Sequence, residues 1–174
     1  MKLGKKTKRE NFEKQLKERI KKESVYLMTS HQKLYSQIIN EMIKPFLNKG
    51  ITKVISPEVK GLFYAPVIAY KLKLPFIALL KKERLLKEDI SEPYKDYSKT
   101  KKVLGINKNA IKKGEKILLV DDIFETGESG KAIVRLIEKT GAELKGISVI
   151  YNKLNKKDED FFKKYNFHYL LKKK

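Results

Sequence analysis

Residues 116–129 read KILLVDDIFETGES and decide the fold class of this chain. The unbroken apolar run 117–120 is typical of a strand that is buried on both faces of a parallel sheet. Two adjacent carboxylates, Asp121 and Asp122, follow where that strand is expected to end. The turn 126–129 then leads into a segment whose apolar residues follow helical spacing. A strand, two acids and a turn into a helix indicate a ligand site at the carboxyl edge of a parallel sheet.

The order of polar groups in this stretch favours a ligand with vicinal hydroxyls beside a phosphate. Carboxylates accept hydrogen bonds from hydroxyl groups. A helix N-terminus preceded by small and hydroxylic residues offers free backbone N–H groups to a phosphate. A ribose 5-phosphate has this chemistry. A purely structural turn in which Ser129 caps the helix would explain Thr-Gly-x-Ser alone, but it leaves the apolar strand and the paired acids without a role.

Length and composition fit a single enzyme domain. The chain has 174 residues, of which 41% are hydrophobic, and no stretch approaches the roughly 18 apolar residues of a membrane span. Zero cysteines exclude disulfides and thiolate metal sites, and two histidines leave little room for a zinc site or a Ser-His triad. The charged start of the chain leads to no signal-like apolar segment. We therefore expect a cytoplasmic protein with no membrane partner.

The net charge of +20 comes almost entirely from lysine, because only four of the 41 basic residues are arginine. Proteins that read specific nucleic-acid sequences use arginine forks for bidentate contacts. The charge therefore predicts only non-specific attraction to polyanions. A positive potential would also serve a substrate that carries several phosphates.

The rest of the chain alternates between strand-like and helix-like segments. We expect a disordered basic arm over 2–9, a helix over 10–22 and a short extended piece over 25–28. Further helices are predicted at 33–48, 62–73, 129–140 and 157–165, and strands at 52–56, 76–80, 103–106, 117–120, 146–151 and 167–171. This order predicts an α/β fold, a doubly wound and mostly parallel sheet with flanking helices. The arm and helix of 1–22 would precede a single domain, 23–174.

Residues 81–102 are charged and show no period. A connection of that length is typical of a lid or a binding loop. We expect this segment to be flexible and to close over the site.

Residues 116–129 resemble the phosphoribosyl-pyrophosphate (PRPP) signature of the type I phosphoribosyltransferases, in which an apolar strand and two acids precede a Thr-Gly turn. The resemblance implies that Asp121 and Asp122 hold the ribose hydroxyls and take part in catalysis. It also implies that the turn wraps the 5-phosphate through Thr126, Gly127, Glu128 and Ser129. Glu128 departs from the family pattern, since many members have a second glycine there. A carboxylate at this position is compatible with phosphate binding when only its backbone amide faces the ligand.

Residues 55–70, ISPEVKGLFYAPVIAY, resemble the pyrophosphate loop of the purine phosphoribosyltransferases. Gly61 would let the backbone approach a diphosphate, and Lys60 would supply a cation beside a helix N-terminus that favours anions. The next strand resembles the family strand that ends in an Arg-Lys pair. Here Leu80 stands at the arginine position and Lys81 at the lysine position.

The loss of that arginine removes one expected pyrophosphate contact, and Lys82 or Arg84 is the candidate to replace it. Further along, residues 96–98 read DYS and resemble the Tyr-Ser or Tyr-Gly pair of the family's flexible catalytic loop.

The resemblance implies a purine phosphoribosyltransferase. Such an enzyme transfers the 5-phosphoribosyl group of PRPP to a purine base and releases a nucleoside monophosphate and pyrophosphate. The family pattern also implies a small N-terminal hood, Mg²⁺ held mainly by PRPP, and a homodimer.

The choice of base depends on two residues and stays open. Glu125 stands where the hypoxanthine-guanine enzymes carry an acid near purine N7, a candidate catalytic acid/base. Lys153 falls where 6-oxopurine enzymes place a lysine that donates to O6, and Ile123 is assigned to the same base site. This pair favours a 6-oxopurine. The blocks 57–70 and 105–122 look most like adenine enzymes, so adenine is the alternative, together with a non-catalytic PRPP-sensing regulator on the same fold.

Overall fold

The structure is a computed structural model that describes residues 3–22, 25–96 and 98–173, without the side chains of 3–7, 22 and 26. Seven strands form one sheet in the order β3-β4-β2-β1-β5-β6-β7. β1 is parallel to β2 and β5, β5 to β6, and β6 to β7, while β4 pairs antiparallel with β2 and β3. The strands are β1 Lys53–Pro57, β2 Phe76–Lys81, β3 Asp89–Lys95, β4 Lys101–Asn107, β5 Lys116–Phe124, β6 Glu143–Asn152 and β7 Phe167–Lys172.

Helices cover both faces of the sheet, so the predicted doubly wound, mostly parallel α/β fold is confirmed. The α-helices are α1 Leu3–Lys22, α2 Gln32–Ile43, α3 Ala65–Leu72, α4 Glu128–Thr140 and α5 Lys156–Lys163. Short 3₁₀ turns occupy Val25–Ser30, Lys44–Phe46, Lys60–Phe63 and Lys82–Arg84. None of the helices in these described ranges is long and apolar enough to cross a membrane.

The interior strand β5 contributes to two apolar clusters, one on each face of the sheet, as its unbroken apolar run predicts. Leu118 and Val120 belong to the cluster under α1, α2 and α3, and Ile117 and Leu119 to the cluster under α4 and α5. All four side chains are fully buried. Alternate residues of a strand point to opposite faces, so both faces of β5 contribute to the core.

The N-terminal arm differs from the expectation, because helix α1 already begins at Leu3 and continues through the lysine-rich segment. Phe12 and Leu16 are buried in the same apolar cluster as Ile38 and Met42 of α2. This anchored stripe holds one face of the helix, and lysine is a good helix former. Helix propagation therefore includes the residues that we expected to be disordered. Residue 2 lies outside the described part of the chain.

The piece 25–28, expected to be extended, forms a 3₁₀ turn that runs to Ser30. Val25 and Met28 are both buried. Residues three apart lie on one side of a 3₁₀ helix but on opposite faces of a strand. With α1, this turn forms the N-terminal hood. The hood contacts the segment after β1, since the Tyr64 hydroxyl donates to the Val25 carbonyl at 2.6 Å.

Residues 81–102 are mostly regular rather than a structureless loop. β3 and β4 pair antiparallel over seven residue pairs and extend the sheet beyond β2. The sequence shows no apolar period because the buried side chain of β3 is Glu92, which is held by ion pairs. Arg135 Nε lies 2.8 Å and Lys139 Nζ 2.5 Å from its carboxylate, and both residues belong to α4. Whether the segment closes over the site stays a prediction, and Tyr97 lies outside the described residues.

Candidate active site

Asp121 and Asp122 lie inside β5, which continues to Phe124 instead of ending before the acids. Each residue is 7% exposed, and the Asp122 backbone N–H donates to Asp121 Oδ1 at 2.8 Å. The strand is longer than expected because it keeps pairing with β6 as far as Phe124 opposite Asn152. The two carboxylates therefore sit on a rigid element at the carboxyl edge of the sheet.

The ionised forms of both acids are disfavoured in the protein without ligand. Burial raises the pKa of Asp121 well above its ordinary value, and the neighbouring Asp122 carboxylate raises it further. Burial also raises the pKa of Asp122, and the Lys60 ammonium opposes both shifts. Asp122 Oδ2 is buried and has no hydrogen-bond partner among the described residues. An unpaired buried acceptor costs free energy, so this oxygen fits a hydroxyl donor supplied by a ligand.

The loop after β1 lies directly against these acids. A β-carbon at Gly61 would lie 2.1 Å from Ser56 Oγ and 3.0 Å from Asp121 Oδ1, so only glycine fits this close approach. Lys60 is exposed and adjoins the same point. The adjacent parallel strands β1 and β5 have their carboxyl ends at one edge. The structure thus brings the predicted pyrophosphate residues together with the predicted ribose acids.

A buried acid that the sequence reasoning did not single out organises the neighbouring segment. The Glu58 side chain is 3% exposed, accepts a hydrogen bond from the Lys81 backbone N–H at 2.5 Å, and pairs with the Arg84 guanidinium. Leu80 pairs with Gly105 of β4 in the sheet. Of the two basic residues proposed to replace the missing arginine, Arg84 is therefore the one that a carboxylate holds beside Lys81.

A cleft of about 760 Å³ opens between this segment and the β3–β4 hairpin. It begins at Val59 of the pyrophosphate loop, and five of its ten lining residues are basic. The lining residues are Val59, Lys81, Lys82, Glu83, Arg84, Pro93, Thr100, Lys101, Lys102 and Val103. A cleft of this charge suits a ligand with several phosphate groups.

The turn after β5 has the backbone form expected of a phosphate loop. Gly127 has φ of +77°, and α4 begins immediately after it, at Glu128. β-Carbons at Gly127 and Gly130 would each lie 2.9 Å from the ring of Phe162, so α5 supports the turn from below. Thr126 and Ser129 complete the turn. Glycine at position 127 permits the left-handed backbone that starts the helix.

The Glu128 carboxylate is engaged within its own helix. Lys131 Nζ lies 2.8 Å from Glu128 Oε1 and 2.7 Å from Asp158 Oδ1, which belongs to α5. Sequence reasoning missed Lys131, although its i,i+3 spacing from Glu128 is a recognisable ion-pair signal. The contact with Asp158 is tertiary and leaves no local signal.

The two residues assigned to the base are paired with each other. Lys153 Nζ lies 2.8 Å from Glu125 Oε1 and 5.6 Å from the centre of the Tyr151 ring. The Lys153 backbone N–H donates to the Phe124 carbonyl at 2.8 Å, which fixes the segment after β6 beside the end of β5. Ile123 is half-buried against the apolar cluster under α1, α2 and α3. The structure gathers the predicted base residues, but the ammonium expected to meet O6 is already engaged.

Comparison with known proteins gives a consistent result. The chain matches the family described as a phosphoribosyl transferase domain over residues 28–169. An adenine phosphoribosyltransferase of Clostridium botulinum is 32% identical over 162 residues, which cover 93% of this chain and 92% of that protein. The corresponding protein of Clostridium novyi is 30% identical over 134 residues, 77% of each chain.

Solved structures share the fold. The crystal structure of adenine phosphoribosyltransferase from Thermoanaerobacter pseudethanolicus has a TM-score of 0.74 at 24% identity and covers 82% of each chain. The Giardia lamblia enzyme, complexed with 9-deazaadenine, has a TM-score of 0.77 at 20% identity and covers 84% of this chain and 83% of its own. At these identities the likeness shows the fold alone.

Proposed function

The chain belongs to the phosphoribosyl transferase domain family, and from that premise we propose that it is an adenine phosphoribosyltransferase. Family and relatives make it a PRPP-dependent purine phosphoribosyltransferase of purine salvage, while the choice of adenine is our proposal. The preference for a 6-oxopurine, expected from Glu125 and Lys153, finds no support among the relatives named above. They favour the alternative, adenine.

One observation carries the assignment of the site: the unpaired Asp122 Oδ2 lies beside Asp121, and Asp121 touches the loop at Gly61. We assign the ribose hydroxyls to the two carboxylates and the diphosphate to Lys60, Gly61 and Lys81. The 5-phosphate is assigned to the turn 126–129 at the N-terminus of α4, where free N–H groups favour anions.

The ion pair that Lys153 forms with Glu125 supports adenine as the base. An ammonium that already donates to the Glu125 carboxylate and lies over Tyr151 is a weak basis for recognising O6. Adenine carries an exocyclic amino group, which donates hydrogen bonds and is mismatched to a second donor. Lys153 therefore acts, in this proposal, as the partner that orients Glu125. Glu125 keeps its proposed role at purine N7, with Ile123 beside the base.

The reaction places specific demands on the residues of this chain. The base attacks ribose C1 as the diphosphate departs, through a state with oxocarbenium character. Asp121 and Asp122 position the ribose, while Lys60 and Lys81 stabilise the negative charge that develops on the leaving group. The segment 81–102 borders the basic cleft and, by closing, would exclude water that could intercept the cation.

Magnesium is implied by the family, and the donor set fits it. Asp121 and Asp122 supply the hard oxygen ligands that Mg²⁺ prefers. Across the described ranges no group of three or more His, Cys, Asp or Glu side chains could hold a metal ion alone. PRPP and water would therefore provide most ligands. The bound ion would neutralise charge on the diphosphate. The homodimer and the cytoplasmic location stay predictions.

Steady-state assays with PRPP and Mg²⁺ test the proposal against adenine, hypoxanthine, guanine, xanthine, uracil and orotate in parallel. We expect the highest kcat/KM with adenine and AMP as the product. The Asp121→Asn/Asp122→Asn variant is the negative control. Higher kcat/KM with a 6-oxopurine would overturn the base assignment, and no nucleotide with any base would overturn the enzymatic function.

A further inference from the structure

We propose that Lys131 is a positioning residue that holds the Glu128 carboxylate away from the 5-phosphate and so permits phosphate binding at a turn with an acid in it. This inference rests on the proposed function and deepens it. It concerns the one position of the phosphate turn at which this chain departs from the glycine of many family members.

The problem posed by Glu128 is electrostatic. Glu128 is the first residue of α4, where the free backbone N–H groups would bind the phosphate. A free carboxylate at this place would be attracted by the same N–H groups and would repel a dianionic phosphate. Phosphate binding therefore requires an interaction that holds the Glu128 side chain away from these N–H groups.

Lys131 is placed to provide this interaction. Its ammonium lies 2.8 Å from Glu128 Oε1, one helical turn further from the phosphate end of α4. The Lys131 side chain is only 23% exposed. Burial disfavours its charged form, but the hydrogen bonds to Asp158 and Glu128 outweigh that effect and raise its pKa. The lysine therefore stays charged across the physiological range and neutralises Glu128 there.

A second carboxylate fixes Lys131 from outside the helix. Asp158 Oδ1 lies 2.7 Å from the ammonium. Asp158 is itself held at the start of α5, where its N–H donates to Asn155 Oδ1 at 2.9 Å and its Oδ2 accepts from Asn155 Nδ2 at 2.6 Å. The ammonium thus has a fixed anchor on α5, and Glu128 is the more exposed partner that it draws away.

The test is a double-mutant cycle on PRPP binding, measured by calorimetry with Mg²⁺, alongside KM and kcat. Lys131→Met frees the Glu128 carboxylate. A unit charge about 8 Å from a dianionic phosphate, at an effective dielectric constant between about 20 and 80, changes affinity by roughly 6- to 1000-fold. We expect Kd and KM for PRPP to rise within this range, with kcat changed much less. Glu128→Gln should bind PRPP as well as the parent or better.

The decisive variant is Lys131→Met/Glu128→Gln, for which we expect PRPP affinity close to that of the parent. Lys163→Met is the matched control, because Lys163 pairs with Asp160 at i,i+3 spacing on the surface of α5 and its loss changes the net charge equally.

Two outcomes distinguish a failure of this inference from a failure of the proposed function. A double variant that keeps the full loss of affinity overturns the inference, since Lys131 would then contact phosphate directly or only maintain the fold. A parent protein that binds neither PRPP nor ribose 5-phosphate overturns the proposed function itself.

Discussion

Replacing both buried acids, in the variant Asp121→Asn/Asp122→Asn, should make the protein more stable and unable to bind PRPP. The carboxylates are each 7% exposed, burial raises the pKa of both, and Asp122 Oδ2 has no partner in the described part of the chain. Asparagine keeps a polar side chain but removes the buried negative charge, and relief of one unpaired buried charge is worth at least about 1–3 kcal/mol. For a domain of this size that corresponds to roughly 2–12 °C in Tm.

The pH dependence has a definite sign. An acid whose pKa is raised in the folded state stabilises the fold while it is protonated, and this contribution is lost as pH rises through the folded-state pKa. The parent should therefore lose stability relative to the variant as pH rises above the ordinary aspartate value of 3.8. The difference in Tm should be small at pH 4 and larger at pH 8.

Ligand binding supplies the second half of the test. At 100 times its Kd, PRPP with Mg²⁺ should stabilise the parent by about 2.7 kcal/mol, which is roughly 5–11 °C. The variant should show no such shift in differential scanning calorimetry. A variant that is less stable than the parent at pH 8, or one that keeps the PRPP shift, would refute the assignment of these acids.

Three further predictions concern the loops around the site. Gly61→Ala should lower stability by about 1–3 kcal/mol through overpacking and should also raise KM for PRPP; an unchanged KM in steady-state kinetics would contradict the role of this close approach. Arg84→Met should raise KM for pyrophosphate in the reverse reaction more than Lys82→Met does, because Glu58 holds Arg84 beside Lys81; equal effects would show that the ion pair confers no advantage. Proteolysis within 81–102 should slow when a PRPP analogue and adenine are bound together, and cleavage that is indifferent to ligand would show that this segment does not close over the site.

The central part of the fold was predictable because its signals are local and strong. The apolar run 117–120 and the period of 129–140 each specify one element, and parallel topology then brings the carboxyl ends of neighbouring strands to one edge. The resemblance to the type I phosphoribosyltransferases assigned the acids Asp121 and Asp122 and the loop at Gly61 to one PRPP site at that edge. The structure places Asp121 directly against the loop at Gly61.

The errors arose where tertiary contacts replace local pattern. Strand β3 looked like part of a loop because its buried side chain is Glu92, which is satisfied by basic residues of α4 more than forty positions away in sequence. The turn 25–30 looked extended because four apolar residues do not distinguish a strand from a 3₁₀ turn. In both cases the partner that decides the conformation lies outside any sequence window.

The base site shows the same limit for side chains. Glu125 and Lys153 were both assigned to the purine base, but their positions in the sequence could not reveal that they form an ion pair of 2.8 Å. A lysine assigned from position alone was read as a free donor. Its engagement with Glu125 changes the chemistry that it offers to a purine.

The central claim, transfer to adenine, is tested most directly by competition for limiting PRPP. Equimolar adenine and hypoxanthine react in one mixture with Mg²⁺, and chromatography gives the ratio of AMP to IMP, which equals the ratio of the two kcat/KM values. We predict that AMP greatly exceeds IMP, and that Lys153→Ala leaves AMP as the main product. An excess of IMP from the parent enzyme would contradict the assignment of adenine as its substrate.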